Sequence, residues 1–102
     1  MLGPIRWMAP ESLANAFYNE KTDVWSFGIV CAEILNRCEP HLNEDPLTVA
    51  AKIRDDFVTP PINGDCDPQL VKLLKDCWNP DPQKRPDMKT ICSRLEELLQ
   101  VK

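Results

Sequence analysis

The residues best able to bind a metal or act as nucleophiles are a single histidine, His41, and five cysteines. A zinc site needs ligands at short, regular spacings, and the sequence has neither a Cys-x-x-Cys pair nor a second histidine. The odd number of cysteines argues against a disulfide framework, and four of them fall within apolar helical patterns typical of buried thiols. We therefore expect reduced thiols, a cytoplasmic protein and no metal site. The cysteines are Cys31, Cys38, Cys66, Cys77 and Cys92.

One carboxylate, that of Asp23, stands at the head of the most apolar stretch of the chain, residues 22–37. At helical pitch the apolar residues of this stretch cover nearly the whole circumference, which predicts a helix surrounded by protein. Gly28 lies in its middle, where glycine costs about 1 kcal/mol relative to alanine, so another group is expected to pack closely there. From periodicity alone, Asp23 is a charge that suits the positive end of the helix dipole, and Gly28 is a packing notch.

The elements around this central helix are predicted to be helical as well. Asp45 and Asp67 each precede a proline, a pattern typical of a helix start, and Asp87 precedes a clear 3.6-residue period. A short helix is expected from Pro10, while residues 1–10 and 15–21 are predicted to be connections. Strand-like alternation is absent from the sequence. The prediction is an all-α fold of about five helices around a central buried helix.

Length, charge and hydropathy limit the classes of partner. A chain of 102 residues is long enough for one domain. The net charge of −4 and the lack of a basic run argue against nucleic acid and against an anionic membrane surface, both of which favour clustered Lys and Arg. No apolar run reaches the roughly 18 residues that a membrane-spanning helix needs. Neither nucleic acid nor a membrane is therefore expected as a partner, although a membrane anchor outside this segment stays open.

Four short motifs follow one another in a fixed order. Trp-Met-Ala-Pro-Glu spans residues 7–11, Asp-Val-Trp-Ser-Phe-Gly spans 23–28, and Cys77-Trp78 and Arg85-Pro86 follow. Together they resemble the C-terminal lobe of eukaryotic protein kinases, from the substrate-binding loop to the last helix, in the tyrosine kinase and tyrosine-kinase-like branches. The resemblance covers essentially the whole chain, and it implies that residues 1–102 are a partial kinase domain.

The resemblance assigns structural roles to residues in these motifs. Glu11 and Arg85 match the carboxylate and guanidinium that form a buried ion pair in kinases, a role suited to the planar fork of arginine. Asp23 matches the aspartate that accepts backbone N–H bonds from the catalytic loop. Trp25 and Gly28 match positions in the buried frame of the lobe.

The resemblance also assigns a substrate-binding loop. Pro4, Ile5, Arg6 and Trp7 match the loop on which the residue after the phosphate acceptor rests. Pro4 stands where serine/threonine kinases usually carry a threonine, which favours tyrosine as acceptor and leaves serine or threonine possible.

Two segments that look like catalytic motifs do not fit those roles. Ser26-Phe27-Gly28 lacks the magnesium-binding aspartate, and Lys52 follows the Ala-Pro-Glu motif although the ATP-binding lysine should precede it. Only three scattered glycines and no His-Arg-Asp are present, whereas phosphoryl transfer needs cradled phosphates, bound Mg²⁺ and an oriented nucleophile. The resemblance implies that ATP and Mg²⁺ bind upstream, so no catalytic, cofactor or metal residue is assigned here.

The sequence thus predicts the distal part of a protein kinase, inactive alone, that positions a protein substrate and scaffolds the catalytic loop. Its expected partners are that substrate and the upstream part of the domain. The central helix is expected to lack part of its cover in this segment and to expose apolar surface. One alternative is a non-catalytic helical interaction module from a truncated kinase or pseudokinase. Another is an incomplete reading of a longer gene, with no independent function.

Overall fold

A computed structural model describes residues 5–62 and 65–100 of the chain. Within these residues the chain forms five α-helices, two short 3-10 helices and no β-strand, which confirms the predicted all-α class. The α-helices are α1 (Pro10–Asn15), α2 (Glu20–Asn36), α3 (Pro46–Asp56), α4 (Pro68–Cys77) and α5 (Met88–Gln100), and the 3-10 helices are Ile5–Trp7 and Pro82–Lys84.

Three helices begin where an aspartate side chain satisfies a free backbone N–H, as the sequence predicted. The Asp45 carboxylate accepts a hydrogen bond from the Thr48 amide at 3.0 Å, and Asp67 accepts one from the Gln69 amide at 2.8 Å. Asp87 accepts one from the Thr90 amide at 2.8 Å. Because the first amides of a helix have no partner within it, these side chains set the starts of α3, α4 and α5.

The connections differ from the sequence prediction in two places. The segment predicted to run from 15 to 21 ends earlier, because Asn19 caps α2: its side chain accepts from the Thr22 amide, and Thr22 Oγ1 accepts from the Asn19 amide. Ile5–Trp7, within a stretch predicted to be extended, forms a 3-10 turn closed by the Met8 amide on the Ile5 carbonyl at 3.1 Å.

The core lies between α2 and the helices that follow it. Gly28 marks the closest approach of α2 to the end of α4, since a Cβ atom placed there would lie 2.6 Å from Trp78 Nε1. The expectation that another group packs closely against this glycine is confirmed. The buried apolar cluster consists of Ala9, Val24, Trp25, Ile29, Ala32, Val49, Ile53, Leu73, Leu74, Cys77, Trp78 and Ile91.

Periodicity alone predicts a helix surrounded by protein, but the described residues cover only part of α2, which agrees with the expectation that this helix lacks part of its cover. Val30 and Leu35 are exposed, and the side chain of Ile34 is 69% exposed although it is fully apolar. The reason is geometric: α3, α4 and α5 contribute their apolar residues to the cluster on one side of α2, and the described residues do not cover the remainder. We call Val30 and Ile34 the α2 stripe, because their four-residue spacing places these exposed side chains on one side of the helix, whereas Phe27 is half-buried against the core cluster.

The cysteines are less buried than the sequence predicted. Only Cys77 is fully buried, where burial raises the pKa of its thiol to about 12, and Cys31 and Cys66 are half-buried. Cys38 and Cys92 are exposed, because Cys38 follows the end of α2 and Cys92 lies on the outer side of α5. All five are free thiols. No helix in the described ranges combines the length and the apolar character needed to cross a bilayer.

Candidate functional site

Arg85, just after the Pro82–Lys84 turn, is held against Glu11 in the first turn of α1. Its Nη1 and Nη2 atoms donate to the two Glu11 carboxylate oxygens at 2.7 and 3.0 Å. This is the two-point geometry that makes arginine a strong partner for a carboxylate. The Arg85 residue is only 2% exposed, so the pair is a buried ion pair. The contact expected between these residues is present in the structure.

Further contacts satisfy the rest of the Arg85 guanidinium. Nε donates to the Asn79 carbonyl, and Nη1 also donates to the Lys21 carbonyl, both at 2.9 Å. The ring of Trp25 lies under the guanidinium, with its centre 5.2 Å from the central carbon. A buried charge is costly unless its donors are paired, and here each nitrogen has a partner. Arg85 thus joins α1, the start of α2 and the turn before α5.

The Ile5–Trp7 turn, which carries three of the four predicted substrate-binding residues, is tied to the α2–α3 connection. Ile5 is buried, and Arg6 Nη2 donates to the Glu44 carbonyl at 2.7 Å. Pro4, the fourth residue, lies outside the described residues. The turn is therefore anchored to the α2–α3 connection through its first two described residues.

Two residues of α2, which the sequence analysis did not single out, hold Trp7. The Ser26 hydroxyl donates to the Trp7 carbonyl at 2.7 Å, and the Trp7 indole Nε1–H donates to Glu33 Oε1 at 3.0 Å. Ser26 and Glu33 are seven positions apart, two turns of helix, so both face the same side of α2. Their partners are 19 and 26 residues away in sequence, and no local pattern predicts such pairs.

His41 lies beside Arg6 and Glu44, and its side chain is almost fully buried, at 7% exposure. Its Nδ1 is 3.7 Å from Glu44 Oε2, while Nε2 is buried without a hydrogen-bond partner among the described residues. Burial lowers the pKa of the imidazole, the Glu44 carboxylate opposes that shift, and the nearby Arg6 and Lys52 cations add to it. The neutral form of His41 is therefore the one that fits the fold.

Asp23 lies in the first turn of α2 and is exposed, and its carboxylate makes no hydrogen bond or ion pair with the residues that the structure describes. The α2 stripe lies on the same side of the helix as Asp23, because Val30 is seven positions further along. Trp25 and Gly28 are buried on other sides of α2, against Arg85 and Trp78 respectively. Of the residues predicted as structural, Glu11, Arg85 and Trp25 meet in one place, and Asp23 stands apart from them.

Glycines and potential metal ligands are scattered through the described residues. Three glycines in the whole sequence cannot build a phosphate-binding loop, and no three His, Cys, Asp or Glu residues in the described ranges come together as metal ligands. What the arrangement offers is a rigidly anchored turn, an exposed carboxylate and an uncovered apolar stripe. These features suit the binding of polypeptide.

The sequence comparisons agree on one family. A profile described as protein tyrosine and serine/threonine kinase matches residues 1–95. The chain is 39% identical over 98 residues to human Mitogen-activated protein kinase kinase kinase 10, and 38% identical over 96 residues to Serine/threonine/tyrosine-protein kinase HT1 of Arabidopsis thaliana. These alignments cover 96% and 94% of this chain. The chain spans only 10% and 25% of the length of those two relatives.

Proposed function

The chain belongs to the protein tyrosine and serine/threonine kinase family, and on that premise we propose that it is the substrate-positioning and scaffolding part of a kinase domain. The complete domain would transfer the γ-phosphate of ATP to a hydroxyl group of a protein. Residues 1–102 would supply the stretch from the substrate-binding loop to the last helix. ATP and Mg²⁺ would be bound by other parts of the domain, because the residues described here do not fit them.

The observation that carries the proposal is the contrast between the anchored Ile5–Trp7 turn and the exposed side of α2. The Ile5–Trp7 turn is anchored through Arg6 and Trp7, as a platform for a peptide must be. Asp23 and the α2 stripe, in contrast, present an acceptor carboxylate and apolar side chains to solvent. An exposed stripe of this kind marks a surface that another polypeptide covers. A catalytic loop with free backbone N–H groups fits both features.

The acceptor hydroxyl is a separate part of the proposal. The tyrosine preference rests on Pro4, and the printed name of the HT1 relative includes serine, threonine and tyrosine. We propose a protein hydroxyl acceptor with tyrosine favoured, and serine or threonine as the alternative.

A chimaera tests the proposal directly. This chain would replace the matching segment of human Mitogen-activated protein kinase kinase kinase 10, and phosphate transfer from radiolabelled ATP to a general protein substrate would be measured. We expect activity within about tenfold of the parent kinase, and acid hydrolysis of the product would identify the phosphorylated residue. A second chimaera carrying Asp23→Ala is expected to fold and to lose activity.

A chimaera that unfolds cooperatively but transfers no phosphate would contradict the proposal. That result would favour the second candidate, a non-catalytic interaction module, for which the exposed α2 stripe is the supporting observation.

A further inference from the structure

We propose that Ser26 and Glu33 are positioning residues for substrate binding, acting through Trp7. This inference rests on the proposed function, because it takes the Ile5–Trp7 turn as the surface on which a protein substrate lies. Neither side chain is expected to touch the substrate. Each instead fixes a different part of the same tryptophan, Ser26 its carbonyl and Glu33 its ring.

The geometry around Trp7 distinguishes this arrangement from ordinary helix packing. Two side chains two turns apart on α2 hold the backbone and the indole of one residue, so both the position and the rotation of Trp7 are defined. The Glu33 carboxylate is a charged acceptor for the Trp7 indole N–H, and a hydrogen bond to a charged acceptor is stronger than one to a neutral acceptor. Arg6, one residue earlier, is held independently by the Glu44 carbonyl at 2.7 Å. The loss of one α2 contact should therefore shift the turn without releasing it.

The consequence for a bound peptide follows from the short distances that phosphoryl transfer demands. A small displacement of a substrate-positioning group can reduce catalysis by large factors, because the acceptor hydroxyl is no longer held in line. Under the proposed function, ATP binds in another part of the domain. A change at Glu33 should therefore alter the KM for the protein substrate and leave the KM for ATP unchanged.

The first test is steady-state kinetics on the active chimaera with three variants. Glu33→Leu removes the acceptor and should raise the KM for the protein substrate by about tenfold. Glu33→Gln retains an oxygen that can accept the Trp7 indole N–H and should restore most of the affinity. Trp7→Phe keeps an aromatic ring but removes the donor, and should resemble Glu33→Leu. Glu96→Leu, the same change at an exposed position of α5, is the control and should match the parent.

Two kinetic outcomes would overturn the inference. One is an unchanged KM in both Glu33→Leu and Trp7→Phe. The other is an equal loss in Glu33→Leu and Glu33→Gln, which would assign the effect to the charge and not to the hydrogen bond with Trp7.

A second measurement keeps the inference testable if the chimaera proves inactive, which would be a failure of the proposed function alone. Hydrogen exchange of the Trp7 indole and of the Met8 amide would be followed by nuclear magnetic resonance. Both should exchange faster in Glu33→Leu and in Ser26→Ala, and at parental rates in Glu33→Gln and Glu96→Leu. Unchanged exchange in Glu33→Leu and Ser26→Ala would show that neither residue positions Trp7.

Discussion

The Arg85 guanidinium and the Glu11 carboxylate are joined by two parallel hydrogen bonds across 74 residues of sequence. Removing one partner of a buried ion pair leaves the other charged and unpaired, which typically costs about 3–5 kcal/mol. We expect Arg85→Ala to reduce the free energy of unfolding by that amount. Arg85→Lys should recover only part of it, because lysine cannot span both carboxylate oxygens and the Asn79 carbonyl. Urea unfolding monitored by circular dichroism provides the measurement.

The control for this prediction is the ion pair that the exposed Lys72 makes with the half-buried Asp76 on α4, with 3.5 Å between nitrogen and oxygen. Exposed pairs contribute little, so Lys72→Ala should change the unfolding free energy by less than about 1 kcal/mol. Equal, small effects of Arg85→Ala and Lys72→Ala would show that the Arg85 pair does not hold the fold together.

The sequence predicted those parts of the fold that depend on local contacts. The starts of α3, α4 and α5 follow from aspartates that bind amides two or three residues away. The same chemistry at Asn19 and Thr22 starts α2, but Asn19 lies within the connection predicted for residues 15–21, so the helix begins earlier than predicted. The prediction of the Glu11–Arg85 contact came from the resemblance to kinases, since periodicity does not relate residues 74 positions apart.

Contacts between distant residues explain what the sequence did not predict. Ser26 lies in a helix whose pattern indicates only burial, and Glu33 resembles any polar residue near a helix end. Their roles depend on where the Ile5–Trp7 turn lies against α2, which local patterns do not define. The exposure of Ile34 agrees with the expected lack of cover on this helix, but hydrophobicity alone does not show which residues are left uncovered.

Gly28 gives a second prediction about packing. A methyl group there would lie 2.6 Å from Trp78 Nε1 and 3.2 Å from the Cys77 Cβ, so the Trp78 side chain or the backbone beside it must shift. Gly28→Ala gains about 1 kcal/mol of helix propensity, but overpacking a core typically costs about 1–3 kcal/mol. We expect a net loss of stability in thermal unfolding.

A double variant tests the cause of this loss. Trp78→Phe removes the indole nitrogen that the new methyl would meet, so Gly28→Ala should cost less in a Trp78→Phe background than in the parent. Equal costs in the two backgrounds would show that the clash with Trp78 is not responsible.

His41 makes stability depend on pH in the acidic range. Burial lowers the pKa of its imidazole in the folded chain below the ordinary value of 6.5. At a pH between the folded and unfolded pKa of His41, the unfolded chain binds more protons than the folded chain. The free energy of unfolding must therefore decrease as pH falls below about 6.5. His41→Phe should flatten this dependence in thermal melts between pH 7 and pH 5. If the melting temperatures of the parent and of His41→Phe fell in parallel with pH, the dependence would come from another titrating group.

The α2 stripe predicts that the isolated chain exposes enough apolar surface to bind a hydrophobic dye and to associate. Ile34 is 69% exposed near the C-terminal end of α2, where a positive charge suits the helix dipole. We therefore expect Ile34→Lys to lower dye binding and raise solubility, with a change in unfolding free energy below about 0.5 kcal/mol. Ile29→Lys, at a buried position of the same helix, is the matched variant and should prevent folding. A parent chain that melts cooperatively as a monomer without binding dye would contradict the prediction, because the stripe would then need no cover.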